Sequence, residues 1–272
     1  MENKLRKYII IGCSRSGTTV THIALKGHPH VYALNDEVKI KNLFHNPLSL
    51  FTHGNNLKEE EEKFIRVLFE DITSLNPAQK KINAKGIKVA VAKPEEAKLF
   101  VSRIKTFFPD VYIIFVKRNE LLAQYASAVR AQKSGKHHSW QKAKKNVPKI
   151  KINKYKYVSY LLDCLQIHSE IEQLNLTNHF IEFNYENDIM QNNYGKLFEF
   201  MKLDNIPPDW IDANKLSPSP QTFIKDYGRL QELTKNIIVK YNNNDNLTKE
   251  MRIKSIIDKY KMLRHKFSRF VK

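Results

Sequence analysis

The stretch that most limits what this chain can become is YIIIGCSRSGTT, Tyr8 to Thr19. Tyr8–Ile11 is a short apolar run with no polar alternation. Such a run reads as a strand buried on both faces, as in a parallel sheet covered by helices. Gly12 and Gly17 bracket the loop that follows. Thr18 then opens a helical pattern to Lys26, stopped at Gly27 with Pro29 just beyond. A strand that passes through a glycine-bracketed loop into a helix aims the free N–H groups of the helix start at whatever the loop surrounds. The helix dipole makes that place favourable for an anion.

The residues inside the loop narrow the choice of anion. In a P-loop kinase a lysine follows the second glycine and reaches the β- and γ-phosphates, and the next Ser or Thr holds Mg²⁺. Here Thr18 stands in the lysine's place and Thr19 follows. Arg15 supplies the cation from within the loop, and Thr18 and Thr19 offer hydroxyls. A loop so equipped suits a tetrahedral anion and requires no metal. The plainer reading is a tight strand-to-helix turn that binds nothing; the convergence of an arginine, hydroxyls and a helix start weighs against it.

The rest of the chain alternates strands and helices. Strands are expected at Gly86–Ala92, Val111–Lys117 and Phe180–Tyr185. Helices are expected at Glu59–Ile72, from Pro94 through Phe107, from a cap at Asn119 through Lys133, at Tyr155–Leu174, at Ile189–Met201 and again from Tyr227. His28 to Leu57 reads as irregular, and Pro207, Pro208, Pro218 and Pro220 mark a looped stretch. This alternation defines an open, mostly parallel α/β sheet. With 272 residues and 42% hydrophobic content, one domain spanning 1–272 can build a sizeable core.

Charge and composition exclude some classes and favour others. No apolar run approaches the roughly 18 residues of a membrane span. The apolar part after the charged start is too short for a signal-peptide core, so a cytoplasmic location is expected. Cys13 and Cys164 give neither a disulfide framework nor a metal-ligand pattern. A net charge of +18 favours an anionic partner: nucleic acid, an anionic membrane surface or a highly charged small ligand. A bias towards Lys, Asn and Ile codons is the competing explanation.

With these residues in view, a resemblance appears. SRSGTT after a strand resembles the 5′-phosphosulfate loop of sulfotransferases that use 3′-phosphoadenosine 5′-phosphosulfate (PAPS). A second stretch, VKRNELLAQYASAVRAQKSGKHHSW, resembles the family's 3′-phosphate segment. There an Arg ends a strand and a Ser lies about two turns into the next helix. The spacing of Arg118 and Ser127, with Gln124, Ala131, Gln132 and Trp140, is similar to bacterial carbohydrate sulfotransferases of the trehalose and nodulation-factor type. A fainter echo is TFIKDYGRL, Thr222–Leu230, where related enzymes place a late loop and helix near the nucleotide.

The resemblance implies a P-loop-like open sheet flanked by helices on both faces. It implies PAPS as co-substrate, 3′,5′-adenosine bisphosphate (PAP) as product, no metal, and a hydroxyl of a carbohydrate or glycolipid as acceptor. Ser14, Arg15, Ser16, Gly17, Thr18 and Thr19 would hold the phosphosulfate, and Arg118 and Ser127 the 3′-phosphate. Arg118 ends a parallel strand, where open α/β sheets bind ligands, and its guanidinium fork suits a phosphate. Within HPHVYALNDEVKI, Glu37 matches the family's catalytic base, with Asp36 in reserve; a solvated acidic pair is the bland alternative. Lys88, in GIKVAVAK, is placed to contact the sulfuryl oxygens, as Arg15 is, or else is an edge-facing lysine. His22 on the first helix is better read as packed than as catalytic.

Two basic segments stand outside this scheme. Residues 133–156 carry many lysines with His137, His138 and Trp140, and form a candidate flap over the site mouth. Residues 245–272 form a basic amphipathic helix that would either lie on an anionic membrane surface or pack on the domain. Two rival functions remain open from sequence: a P-loop nucleotide kinase or NTPase, and a nucleic-acid-binding protein using the flap. The first needs the lysine that is missing, and the second leaves the Gly12 loop unexplained; no specific nucleic-acid partner is expected.

Overall fold

A computed structural model describes residues 5–39, 82–134, 149–176, 179–206 and 220–243, without the side chains of 34–39, 107, 133 and 134. Five strands are β1 (Arg6–Cys13), β2 (Val31–Lys39), β3 (Ala84–Val91), β4 (Tyr112–Lys117) and β5 (His179–Asn184). They form one sheet in the order β2-β3-β1-β4-β5. Every pairing is parallel. The helices are α1 (Thr18–Lys26), α2 (Pro94–Phe107), α3 (Leu121–Ser134), α4 (Lys154–Glu172), α5 (Gly195–Phe200), α6 (Pro220–Phe223) and α7 (Tyr227–Asn242).

The unbroken apolar runs of β1 and β4 are explained by their central positions. Ile9 and Ile11 of β1 pack with Ile87, Ile113 and Phe115 against α2, α3, α4 and α7. Tyr8 and Ile10 face the other way, with Ile114, Val116 and Phe183, onto α1 and α5. Ile9, Ile10 and Ile11 are all fully buried, as both-face coverage of a parallel sheet demands. The expected α/β architecture with helices on both faces is therefore present. The chain crosses from one side of β1 to the other between β3 and β4, so the strand order reverses at β1. Open sheets bind ligands at such a point, beyond the carboxyl ends of the strands.

Local sequence fixes the ends of several elements. α2 starts at Pro94, and Glu96 reaches back to accept from the Ala92 and Lys93 N–H groups at 3.0 and 3.2 Å. Asn153 caps α4 by accepting from the Tyr155 and Lys156 N–H groups. Ile150 and Ile224, both buried, pair in an isolated parallel bridge that ties the entry of α4 to the exit of α6. The downstream end of the lysine-rich stretch is thus anchored, and residues 135–148, with His137, His138 and Trp140, lie outside the described residues. So do the expected helix at Glu59–Ile72, the proline-rich 207–219 and the basic 245–272. No helix among the described residues is long and apolar enough to cross a membrane.

Two expectations need correction. The stretch from His28 onward is not irregular throughout, because Val31–Lys39 is the edge strand β2. Asn35, Asp36 and Glu37 break its apolar pattern, and its pairing with β3 shifts register between Ala33 and Glu37. An edge strand pairs on one side only, so its sequence need not be continuously apolar. The helix expected at Ile189–Met201 is interrupted. A single π-helical turn, Tyr185–Ile189, follows β5, and α5 begins only at Gly195. Between them Asn192 adopts φ 55, a left-handed conformation that asparagine tolerates and that ends a helix.

That π-helical turn is held at both ends. The Asn184 side chain accepts from the Glu186 and Asn187 N–H groups at 3.0 Å each. The Asn184 N–H donates to Asp188 Oδ2 at 2.7 Å, and Lys196 Nζ donates to the same oxygen at 3.2 Å. Asp188 is buried, so removing its carboxylate orphans the Asn184 N–H group, while Lys196 keeps its bond to the Glu182 carbonyl. Asp188→Ala is expected to cost about 1–3 kcal/mol, seen as a Tm lower by several degrees in thermal unfolding. Asp188→Asn, which keeps one acceptor, should lose less.

Candidate active site

The loop between β1 and α1 is shaped by what its glycines leave out. A Cβ at Gly12 would lie 2.5 Å from the Val116 carbonyl oxygen and 2.7 Å from Ser16 Oγ. Gly17 has φ 111, and a Cβ there would lie 2.6 Å from Ile189 Cδ1 and 2.8 Å from the Tyr185 ring. The loop is therefore pressed between the end of β4 and the turn after β5. Gly17 is also the N-cap of α1 and supplies no side-chain acceptor, so the first-turn amides of α1 carry no side-chain cap. Ser16 is fully buried, and its hydroxyl has no partner. A buried hydroxyl left unsatisfied beside an uncapped helix start fits an anion ligand.

Arg15 sits at φ 69, inside this turn. Its Nε donates to Ser127 Oγ of α3 at 3.1 Å. Gln124, one turn earlier on α3, donates from Nε2 to the Ser14 carbonyl at 2.8 Å. Arg118, directly after β4, approaches the Arg15 carbonyl at 3.4 Å through Nη1. Its guanidinium lies 4.2 Å over the Tyr185 ring, with Glu186 Oε1 at 3.8 Å from Nε. The Glu186 carboxylate also accepts from the Asn119 and Glu120 N–H groups at 3.1 Å each, at the start of α3. Burial holds the Arg15 guanidinium below the ordinary arginine value. The charge of Arg118 pushes the same way, Tyr185 and Tyr160 pull less strongly against it, and Arg130 adds the smallest push downward. Like charges are being held together here, and that arrangement suits a multiply charged anion.

Lys88 enters from β3. Its Nζ donates to Thr19 Oγ1 at 3.0 Å, and the residue is 5% exposed. Thr19 occupies the place at which a P-loop kinase would hold Mg²⁺ by a hydroxyl. Here an ammonium already sits on that oxygen.

The structure brings Arg15, Arg118 and Ser127 into one cluster, and joins Thr19 to Lys88. Thr18 is buried at the start of α1, and Ser14 is exposed at the loop tip. Glu37 and Asp36 lie on strand β2, not in a loop leaving α1, and Glu37 is the backbone register partner of Lys88. His22 is buried on α1, in keeping with a packing role. Cys13 and Cys164 are buried free thiols. Hydrogen bonding to Cys164 and burial push the Cys13 thiol well up, which disqualifies it as a nucleophile at neutral pH. Sequence reasoning passed over Tyr185 and Glu186. The available signal was FNYEN: a polar pair at the carboxyl end of a parallel strand, where ligands bind.

Residues 8–197 match the model of the sulfotransferase family, and they are well over half of the chain. No curated protein matches. Among solved structures, a sulfotransferase from Alicyclobacillus acidocaldarius aligns with TM-score 0.50 and 11% identity over 85% of this chain and 92% of its own. The sulfotransferase domain of the Synechococcus PCC 7002 olefin synthase aligns at 0.45 and 15%, over 84% and 82%. A sugar kinase from Janibacter sp. HTCC2649 aligns at 0.36 and 14%, over 74% and 96%. This chain belongs to the sulfotransferase family, and it is a sulfotransferase enzyme.

Among the described residues no group of His, Cys, Asp and Glu has the arrangement of a metal site. The ammonium on Thr19 leads to a sharper expectation. Sulfuryl transfer should survive EDTA in an assay with ³⁵S-labelled donor. Complete loss with EDTA, restored by Mg²⁺, would show a metal acting where Lys88 now sits.

Proposed function

We propose that the enzyme transfers a sulfuryl group from PAPS to a hydroxyl of a carbohydrate or glycolipid acceptor. The observation that carries this reading is the convergence of Arg15, Arg118 and Ser127 beside the uncapped start of α1. In this reading Ser14, Arg15, Ser16, Gly17, Thr18 and Thr19 hold the phosphosulfate of the donor. The unpartnered Ser16 hydroxyl and the free amides are donors waiting for its oxygens. Arg118 and Ser127 take the 3′-phosphate. The carbohydrate acceptor is supported by the Arg118-to-Ser127 spacing with Gln124 and Gln132 between and beyond them.

The chemistry is mostly positioning plus electrostatics, as in phosphoryl transfer. The acceptor oxygen forms a bond to sulfur, and the bond between sulfur and the bridging phosphate oxygen breaks. Lys88 and Arg15 contact the transferring sulfuryl oxygens and offset their negative charge. Glu37 takes the acceptor proton; the backbone register of Glu37 with Lys88 on the neighbouring strand supports this role. A placed base commonly contributes about 10²–10⁴-fold.

The test of the donor is a ligand thermal-shift series with PAP, AMP, ADP and ATP. PAP should stabilise the protein far more than AMP or ADP. Arg118→Ala should remove most of that difference, at about 1.5–3 kcal/mol for a charge-assisted contact. Equal stabilisation by ADP and PAP would end the PAPS reading.

The test of the base uses a saccharide acceptor found by screening mono-, di- and oligosaccharides. Glu37→Gln should lower the rate of transfer by about 10²-fold or more while PAP binding stays near wild type. Asp36→Asn should keep much more activity. Normal turnover in Glu37→Gln would move the base elsewhere, with Asp36 the next candidate.

A further inference from the structure

Arg130 lies on α3, three residues beyond Ser127 and therefore on the same face of the helix. Its guanidinium rests 5.2 Å from the centre of the Phe223 ring on α6. Its Nη1 is buried with no hydrogen-bond partner. Among the described residues no carboxylate pairs with it. Glu186, the acid nearest the cluster by its contacts, is committed to the Asn119 and Glu120 amides and to Arg118. Arg130 is also close enough for its charge to disfavour the charged form of Arg15. A guanidinium that adds positive charge beside Arg15 and leaves a buried N–H donor without an acceptor disfavours the ligand-free protein. Phe223 is held in place by the bridge between Ile150 and Ile224, so the arginine is not free to swing away without losing its packing surface.

We propose that Arg130 is a third guanidinium of the anion site, binding the terminal 3′-phosphate of the donor nucleotide together with Arg118 and Ser127. The proposal rests on the PAPS reading above. A phosphomonoester carries up to two negative charges and several acceptor oxygens, more than one guanidinium and one hydroxyl satisfy. Arg118 already spends part of its charge on Glu186 and its face on Tyr185. Arg130, uncommitted to any carboxylate, supplies the positive charge that the cluster lacks once the dianion enters.

The experiment is calorimetric titration of the full chain with PAP and with AMP, for wild type, Arg130→Gln and Arg130→Lys, with the ligand-free Tm of each. Arg130→Gln should weaken PAP by about tenfold or more and leave AMP nearly unchanged. Its ligand-free Tm should equal or exceed that of wild type, because a repulsive charge has been removed. Arg130→Lys, which keeps the charge but not the fork, should fall between the two. If wild type prefers PAP and Arg130→Gln keeps that preference, this proposal alone fails. If Arg130→Gln weakens PAP and AMP equally with a lowered Tm, Arg130 is structural and the proposal fails again. A wild type that binds PAP and AMP equally removes the PAPS reading itself, and this one with it.

Discussion

The carbonyl oxygen of Val116 lies 2.5 Å from where a side chain at position 12 would begin. Everything at the carboxyl end of the sheet depends on that close approach. It lets the loop after β1 fold across the end of β4, so Arg118 meets the Arg15 carbonyl. It also sets the loop against α3, where Gln124 clamps Ser14 and Ser127 receives Arg15. The second glycine does the same on the far side, against Tyr185 and Ile189. Two missing side chains thus let a strand-to-helix turn pack tightly between the end of β4 and the turn after β5.

The cluster so formed is electrostatically unfavourable when empty. Arg118 and Arg130 both disfavour the charged form of Arg15, and among the described side chains the carboxylate that meets this cluster is Glu186, at Arg118. The turn after β5 offsets part of this. Tyr185 gives Arg118 an aromatic face, and Glu186 gives it a charge while capping α3. The Asn184 and Asp188 contacts hold that turn in place. A fold that tolerates such repulsion in its free state gains most when an anion of high charge binds, so stability and affinity pull against each other at these residues.

What the sequence revealed follows from how local each signal is. Tyr8–Ile11, the Pro94 start of α2 and the helix that follows Arg118 are written in neighbouring residues, and all three elements appear as expected. β2 escaped notice because an edge strand carries little apolar pattern, and NDE in its middle hides it further. Glu37 was therefore assigned to a loop, although its backbone pairs with Lys88. Tyr185 and Glu186 meet Arg118, Asn119 and Glu120, between β4 and α3, only through long-range packing, at separations in sequence that no periodicity reports.

The question of the missing lysine also resolves through long-range packing. A lysine after Gly17 would extend from the helix start itself. Thr18 stands there instead, and the ammonium at the first turn of α1 arrives from the neighbouring strand as Lys88. The exchange changes more than the origin of the charge. In a kinase the hydroxyl one position later is free to hold Mg²⁺. Here that hydroxyl belongs to Thr19 and already accepts from Lys88 at 3.0 Å. An ammonium at hydrogen-bond distance repels a divalent cation from the same oxygen. Lys88 on β3 thus brings its positive charge to the oxygen that holds the metal in a kinase. This separates the loop from that of a metal-dependent kinase more firmly than the identity of residue 18 alone.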